Sequence, residues 1–539
     1  MAYSYITFAQ IRSQLSQRLQ DPLGVYFSPA QLDTAINESI RLLQLATATY
    51  KQKTTIQTSG SVAYYDLSQI PNSPLSYSVT DVQIANSVLR LLLEPELTAG
   101  QPWSGSGQFT LGQLQQSIQN RLNHFLGSTG CVVSQQTINT AAPQVDLISL
   151  PDPVIDVRRA AWVQPPSTNA TYNVLYADQV SLIGIQSGSN RSFTLPIVPV
   201  PATSLELFLN GQLLQSGVDY ILSGSTITYL PSAAVPGPAD IQRASFRYQG
   251  SLISGTPPQT SPLGRIDEWS QQAYLPFGVQ RPNVPLTYSV FESAPLQIRL
   301  VPPPQNSGLL DCIFVVCGPQ VNLDPANPVL IGIPDDLSAC LKWGALADML
   351  GTDGPSRDYP RAEYAERKYQ EYISLAKTYP SLLGCDFANV TGSWGSIFDL
   401  DTYYPNWQNE SGPPSFLGMA GRNIAAIGPV PDNVYSIGAW VVANAPISGS
   451  PNVSRDQSYV QIQRDAIDPV LDMAQHIASF QMGGTEFDGT DRLRKNFVAY
   501  VQSQNARLDA VAIFRTAIQE PGNRSETQVR RMVTNQQNQ

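Results

Sequence analysis

The sequence predicts an α+β protein: a helical bundle with inserted antiparallel β domains, an extended aromatic-rich arm and a C-terminal helical region. Three observations carry this expectation. Apolar residues recur at three- and four-residue steps at the N-terminus, within 333–380 and after 464, the spacing that gathers them on one helix face. Between these blocks, β-branched and aromatic runs are punctuated by Pro, Gly and Asn, as in short strands joined by turns. Residues 381–463 hold many large aromatics with neither period, and the stretch is too long for an ordinary loop.

A chain of 539 residues allows three or four structural units at roughly 150 residues each. Only 14% of its residues are charged, against roughly 25% in an ordinary soluble domain. Gln, Asn, Ser and Thr supply the missing polarity, and the 43 Pro and 37 Gly suggest long ordered loops laid against neighbours. The net charge of -10 disfavours specific nucleic-acid binding, which rests on cationic surface that releases counterions. An acidic wall is compatible with a conduit along which DNA slides without adhering. The five cysteines are odd in number, scattered and free of any C-x-x-C spacing, so no disulfide framework is expected. Met1 to Phe8 has neither a basic segment nor an apolar core, and no apolar run approaches the roughly 18 residues of a membrane span. Neither a signal peptide nor a span is expected, and synthesis in a reducing cytoplasm fits.

Residues 1–50 read as a helical hairpin. Phe8, Ile11, Leu15 and Leu19 share a face, Asp21, Pro22 and Gly24 break the helix, and Ser28, Pro29 and Gln31 open a second one as a capping box. Residues 51–200 read as strands, as in Val62 to Leu67 and Leu147 to Val163, interrupted by one helix. That helix echoes the first, because Leu111, Leu114, Ile118, Arg121 and Leu122 match Phe8, Ile11, Leu15, Arg18 and Leu19 at constant offset, an internal repeat. Val79, Asp81 and Val82 are likewise echoed by Val154, Asp156 and Val157. Residues 201–252 read as a small antiparallel module whose LELFLNGQLL turns at Asn210 and Gly211, a pair suited to a tight hairpin; it serves either as a docking insertion or as a passive spacer. Residues 253–332 supply further strands, and 333–380 a pair of helices, from about Asp336 to Leu350 and Arg361 to Lys377. The second carries Glu363, Arg367 and Glu371 at steps that favour solvent-facing ion pairs. Residues 381–463 form the arm, since disorder disfavours aromatics. Residues 464–539 return to helix, one from Asp468 and Pro469 to Gly483, another from Thr490, ending in a frayed tail after Glu520.

Chemistry is hard to place on this chain. His124 and His476 lie in separate helical segments and read as packed residues. Cys312 and Cys317 fall on opposite faces of a strand, which argues against a zinc site. No nucleophile elbow, dinucleotide turn or phosphate loop occurs. Paired carboxylates of a glycan hydrolase remain an alternative, although Glu363 and Glu366 sit on a charged helix face. Arg530 and Arg531 are too small a cluster for DNA recognition. No catalytic residue, metal or cofactor is assigned, and the chain is not expected to be an enzyme.

The order of elements resembles the head-to-tail adaptor, or connector, proteins of tailed bacteriophages, in the larger form found in short-tailed phages. The resemblance rests on the opening hairpin, the strands LQIRLVPPP and DCIFVVCG, and the helices DDLSACLKWGALADML and RAEYAERKYQEYISLAK, together about half the chain. It implies a helical bundle of adaptor type and a virion location. It also implies a homo-oligomeric ring of about twelve copies between the portal protein and the tail nozzle or tube, through which genomic DNA passes without sequence-specific binding. Large aromatics dominate interface energetics, so contacts are assigned to the arm, through Trp394, Trp407, Phe416 and Trp440, and to the C-terminal helices with Phe497. The module at Asn210 and Gly211 is assigned to docking a tail fibre or tail component. A tail hub, a fibre-docking ring and a solitary binding protein are the other non-enzymatic readings.

Overall fold

The computed structural model describes residues 6–49, 51–69, 77–140, 147–151, 153–164, 171–253, 259–267, 269–270, 283–291, 296–354, 357–378, 383–387, 392–442, 447–448, 459–460 and 462–519. The chain divides into two compact units, one of Met1–Trp162 with Thr260–Gln539 and one of Val163–Gln259. The expected tail after Glu520, with Arg530 and Arg531, lies outside the described residues. Both helix-rich and antiparallel sheet regions are present, so the protein is α+β.

In the first unit the helices α1 (Phe8–Arg18), α2 (Pro29–Thr47), α3 (Asp81–Leu91) and α4 (Leu111–Thr129) start alike. Each N-cap is Ser or Thr with Gln three residues on, and both halves of the capping box form: Thr7 with Gln10, Ser28 with Gln31, Thr80 with Gln83, Thr110 with Gln113. The reciprocal bonds satisfy amide groups that a helix start leaves orphaned. Later helices are α5 (Ala339–Gly351), α6 (Tyr359–Thr378), α7 (Ile397–Tyr403), α8 (Ile467–Ser479), α9 (Gly484–Gly489) and α10 (Asp491–Gln519). The first part of the expected 336–350 helix is a separate 3-10 turn, Asp335–Leu337. One large apolar core takes side chains from most of these helices, around the fully buried Trp343. The Trp343 ring meets Tyr364 and Phe480 edge-on, with centroids 5.7 and 5.1 Å away, a favoured aromatic geometry. Among the described residues, no helix is long and apolar enough to cross a membrane.

The repeated helix has a structural counterpart. Phe8, Ile11 and Leu15 are buried on α1, and Leu114, Ile118 and Leu122 on α4. Each copy also turns its Arg to acidic partners on other helices: Arg18 reaches Asp468 and Asp472 of α8, Arg121 reaches Asp348 of α5 and Glu366 of α6. The second echo fails. Val79, Asp81 and Val82 lead into α3, which the strand reading of 51–200 overlooked, whereas Val154, Asp156 and Val157 lie in the strand Val154–Gln164. The Thr80–Gln83 capping box starts the helix, and the fully buried Asp81 carboxylate accepts backbone N–H bonds from Val82, Asn322, Leu323 and Val329.

Strand pairing joins segments that the sequence reading kept apart. Gln259–Pro262, Val154–Gln164, Gly308–Val316 and Ser134–Thr140 form one sheet; Gly264–Arg265, Thr287–Phe291, Gln297–Val301 and Leu147–Ser149 form another. Both contribute to one core, with Trp162 and Phe314 from the first and Tyr288 and Leu300 from the second. The 253–332 strands are therefore completed by 134–164 and do not form a separate block.

The described part of the expected extended arm, 383–387 and 392–442, is folded. Ser436–Val442 lies between Lys51–Gln57 and Gly384–Phe387, while Ser393–Ser396, Phe416–Ala420 and Ile424–Gly428 form a sheet with Tyr64–Asp66. These two sheets share a core of their own. Their strands are rich in Gly and Ala because neighbours press close. A Cβ at Gly418 would stand 3.1 Å from the Ile397 Cα, and one at Gly428 would stand 2.8 Å from Leu400 Cδ1 and 3.0 Å from Trp407 Cβ.

The second unit contains the expected hairpin. Asn210 and Gly211 have φ of 51° and 80°, and Leu209 pairs with Gln212 across the turn, as a two-residue loop with left-handed residues requires. Its boundaries are wider than 201–252, since Thr171–Val180 pairs with Gln242–Ile253 and Ser192–Thr194 with Thr226–Tyr229. Phe193, Leu207, Tyr220, Ile227, Tyr229 and Phe246 form its core.

Candidate functional site

Two features of the first unit combine exposure or vacancy with a built scaffold. The first is the turn between α1 and α2. The Asp21 carboxylate accepts N–H bonds from Val25, Tyr26 and Phe27, each at 2.8 Å. Burial alone would raise its pKa, but these backbone donors outweigh that and hold it below the usual carboxylate value. Gly24, at φ 67°, closes the turn, and Phe27 anchors it in the core. Leu23, Val25 and Tyr26 are left 87%, 73% and 79% exposed. Gln481 bridges the turn to α2 by accepting from the Gln31 amide and donating to the Tyr26 carbonyl. A rigid turn that displays apolar side chains is organised for contact, because little conformational freedom remains to be lost on binding.

The second is a cleft of about 460 Å³ lined by α2, α3 and the start of α5. On α2 the polar residues Asp33, Thr34, Asn37, Glu38 and Arg41 face it at three- and four-residue steps. Most lining groups have partners. Glu38 accepts from Lys342 Nζ and from Trp343 Nε1 (2.6 Å), Arg12 reaches Asp33 at 3.2 Å, and Arg90 forks onto Glu96 at 2.9 and 3.0 Å while donating to Thr34. Two buried atoms, Asp336 Oδ1 and Arg41 Nε, have no hydrogen-bond partner among the described residues. Burial pushes the Asp336 carboxyl up to about 7 despite the pull of Arg41 and Arg422.

No protein-family model matches this sequence, and no curated protein matches it at a significant level.

The residues assigned to contacts from sequence part company in the structure. Trp394 and Trp440 are 45% and 39% exposed. Trp440 lies beside Lys53, whose Nζ is 5.6 Å from the ring centroid, and its indole N–H donates to Asp386. Trp407, Phe416 and Phe497 are buried in the main core, so they stabilise this fold and offer no surface. Asn210 and Gly211 are exposed in the second unit, where Asn210 accepts the Ile241 N–H and donates to Asp240.

Trp407 belongs to a brace that sequence reasoning missed. Its indole donates to Asp401, which also takes both Nε and Nη2 of Arg159 at 2.5 and 2.8 Å. Arg159 Nη1 reaches Asp311 at 2.9 Å and Tyr64 at 3.1 Å, and Tyr64 donates to Asp311. All the charged members are under 10% exposed, and burial drives the Tyr64 hydroxyl far above its ordinary value. Both carboxylates are engaged in holding Arg159, which makes the cluster a tie between distant segments. Nothing in local spacing could reveal it, because residues 64, 159, 311 and 401 meet only after the sheets form. The pair Glu363 and Glu366 is likewise divided: Glu366 binds Arg121 at 2.7 Å, and the helix instead joins Lys368 to Glu371 at 2.6 Å.

The histidines are structural. His476 pairs with the Tyr364 hydroxyl through Nε2 at 2.8 Å and with the Thr490 hydroxyl through Nδ1 at 2.7 Å, and His124 contacts the Tyr369 hydroxyl at 2.8 Å. The five cysteines are free; Cys317 is exposed, Cys385 partly so, and the other three are buried. Among the described residues no group of three or more His, Cys, Asp or Glu could hold a metal ion.

Proposed function

We propose that this chain is a structural subunit of a tailed-bacteriophage particle, the head-to-tail adaptor that closes into a ring between portal and tail and encircles the exit path of the genome. The observation that carries the proposal is the α1–α2 turn, where a carboxylate-pinned loop presents Leu23, Val25 and Tyr26 to the outside. Large exposed apolar groups on a rigid support suit a surface finished by a neighbouring copy or by the portal. The resemblance in the order of hairpin, strands and paired helices supports the same reading. The low charge of the chain, 14%, fits a molecule whose surfaces are largely covered in an assembly. The hairpin at Asn210 and Gly211 is assigned to docking a fibre or another tail component.

Electron-microscopic averages of the purified protein, alone and mixed with portal rings, test this. Closed cyclic particles are expected, and the double substitution Leu23→Ser and Tyr26→Ser should abolish them while leaving the melting temperature within about 2 °C, since surface changes rarely exceed ~0.5 kcal/mol. A wild-type protein that stays monomeric in both conditions would sink the proposal.

A further inference from the structure

The hairpin turn of the second unit carries a chemistry that its shape alone does not use. Asn210 is the only asparagine in the chain that is followed by glycine. Side-chain amides are thermally labile groups, and lability is greatest where the next residue lacks a Cβ, because its backbone nitrogen can then approach the asparagine Cγ closely. Asn210 and Gly211 are both exposed, and a Cβ at Gly211 would meet nothing within 4 Å, so neither water nor space is limiting. What restrains the amide is a clamp. Its Oδ1 accepts the Ile241 N–H and its Nδ2 donates to Asp240 Oδ1, both at 2.9 Å. Asp240 is itself anchored, since its Oδ2 accepts the Gly237 N–H at 2.7 Å. The bond from Asn210 is the main cause that holds the Asp240 carboxyl below its ordinary pKa, so the clamp is charge-assisted.

We infer that Asn210 is a site of spontaneous deamidation, converted to aspartate and isoaspartate at a rate that the clamp by Asp240 and Ile241 sets. The Gly211 amide gives its proton to solvent base, and its nitrogen attacks Asn210 Cγ. The N–Cγ bond forms, the Cγ–Nδ2 bond breaks, and Nδ2 departs as ammonia with a proton from water. Water then opens the cyclic imide at either carbonyl and leaves a carboxylate. The net change consumes water and releases ammonia, with nothing oxidised or reduced. The first step requires the amide to swing off Asp240 and the Ile241 N–H toward the Gly211 nitrogen, so the clamp retards it. The product undoes the clamp. A carboxylate at 210 stands where Nδ2 donated, and two carboxylates that close repel. The isoaspartate form also adds a methylene to the backbone of a two-residue loop whose length fixes the register of Leu209 with Gln212. The chemistry is independent of the ring assignment, since any folded copy carries the same turn.

Peptide mass spectrometry of the full chain, incubated at neutral and at mildly alkaline pH, tests it, with isoaspartate read separately by enzymatic methylation. Asn210 should convert before any other asparagine, and faster at the higher pH, where more of the Gly211 amide is deprotonated. Asp240→Ala, which removes one charge-assisted bond, should speed conversion about ten-fold. Unfolding the wild-type chain in urea should speed it at least as much, and this arm decides should the Asp240 variant not fold. Asn210→Asp, which mimics one product, should raise amide hydrogen exchange across 207–214 above the wild-type level. The inference is overturned if Asn210 stays intact in the folded chain, or if another asparagine converts first. Equal rates in the folded wild type and in either Asp240→Ala or the urea-unfolded chain overturn it as well.

Discussion

His476 lies on α8 with 1% of its surface exposed, its ring enclosed by Tyr364 and Phe487. Burial draws its pKa from 6.5 down to about 3, and the nearby Lys368 and Arg494 act in the same direction. The unfolded chain therefore binds a proton below pH 6.5 that the folded chain refuses. The associated stability is complete above pH 6.5 and is lost as the pH falls toward 3. Between pH 6.5 and 4.5 the native protein should lose about 2–3 kcal/mol more than His476→Gln, read from urea unfolding at the two pH values. Equal losses would mean that the imidazole is not held neutral. Arg159 makes a different case, since it ties two buried carboxylates. Arg159→Met strands both charges and should cost about 3–5 kcal/mol. Lys at 159 should recover little of that, because an ammonium cannot fork onto Asp401 while reaching Asp311.

At the scale of elements, helices were the legible part. Apolar spacing marked α1 and α4 and the Ser28–Gln31 capping box opened α2, and the structure adds the same box at Thr7 and Thr110. Thr110→Ala should therefore destabilise the first unit by about 1 kcal/mol, and Thr110→Ser should restore it, as denaturant midpoints will show. The same signal stood at Thr80 and Gln83, but the surrounding Pro and β-branched residues drew 51–200 toward a strand reading, and α3 was missed. The Gly- and Ala-rich strands between 416 and 442 were missed for the opposite reason. They carry little strand propensity of their own, and Ile424–Gly428 is buried throughout, so no alternation marks it. Their small residues are set by what packs on them. Gly428→Val should disrupt the contact with Leu400 and Trp407 and lower stability by about 1–3 kcal/mol, in contrast to a harmless Gly112→Ala on α4, where a Cβ meets nothing within 4 Å.

For the whole molecule, the division into two units has a thermodynamic consequence. Val163–Gln259 has its own core of Phe193, Leu207, Tyr220, Ile227, Tyr229 and Phe246. Expressed alone, residues 163–259 should unfold in a single cooperative transition with native-like tyrosine near-ultraviolet dichroism; a fragment lacking such a transition would show that its core depends on the rest of the chain. The first unit offers no comparable cut. Lys51–Gln57 pairs with Ser436–Val442, α8 packs on α1 and α2, and Arg18 binds Asp468 and Asp472. Contacts between such distant segments carry a large loop-closure cost, which slows folding.

What the sequence determined by itself was local: where helices begin, the 111–129 copy of the first helix, the left-handed turn at Asn210 and Gly211, and the α+β class. Those features depend on neighbours a few residues away, and capping, helical spacing and turn conformation are written at that range. The tertiary structure alone decided that the aromatic stretch is folded, that Trp407, Phe416 and Phe497 are core while Leu23, Val25 and Tyr26 are surface, and that Asp336 and Arg41 share a cleft. Exposure and pairing are properties of segments brought together from hundreds of residues apart, and a side chain's type does not say which partner the fold will set against it.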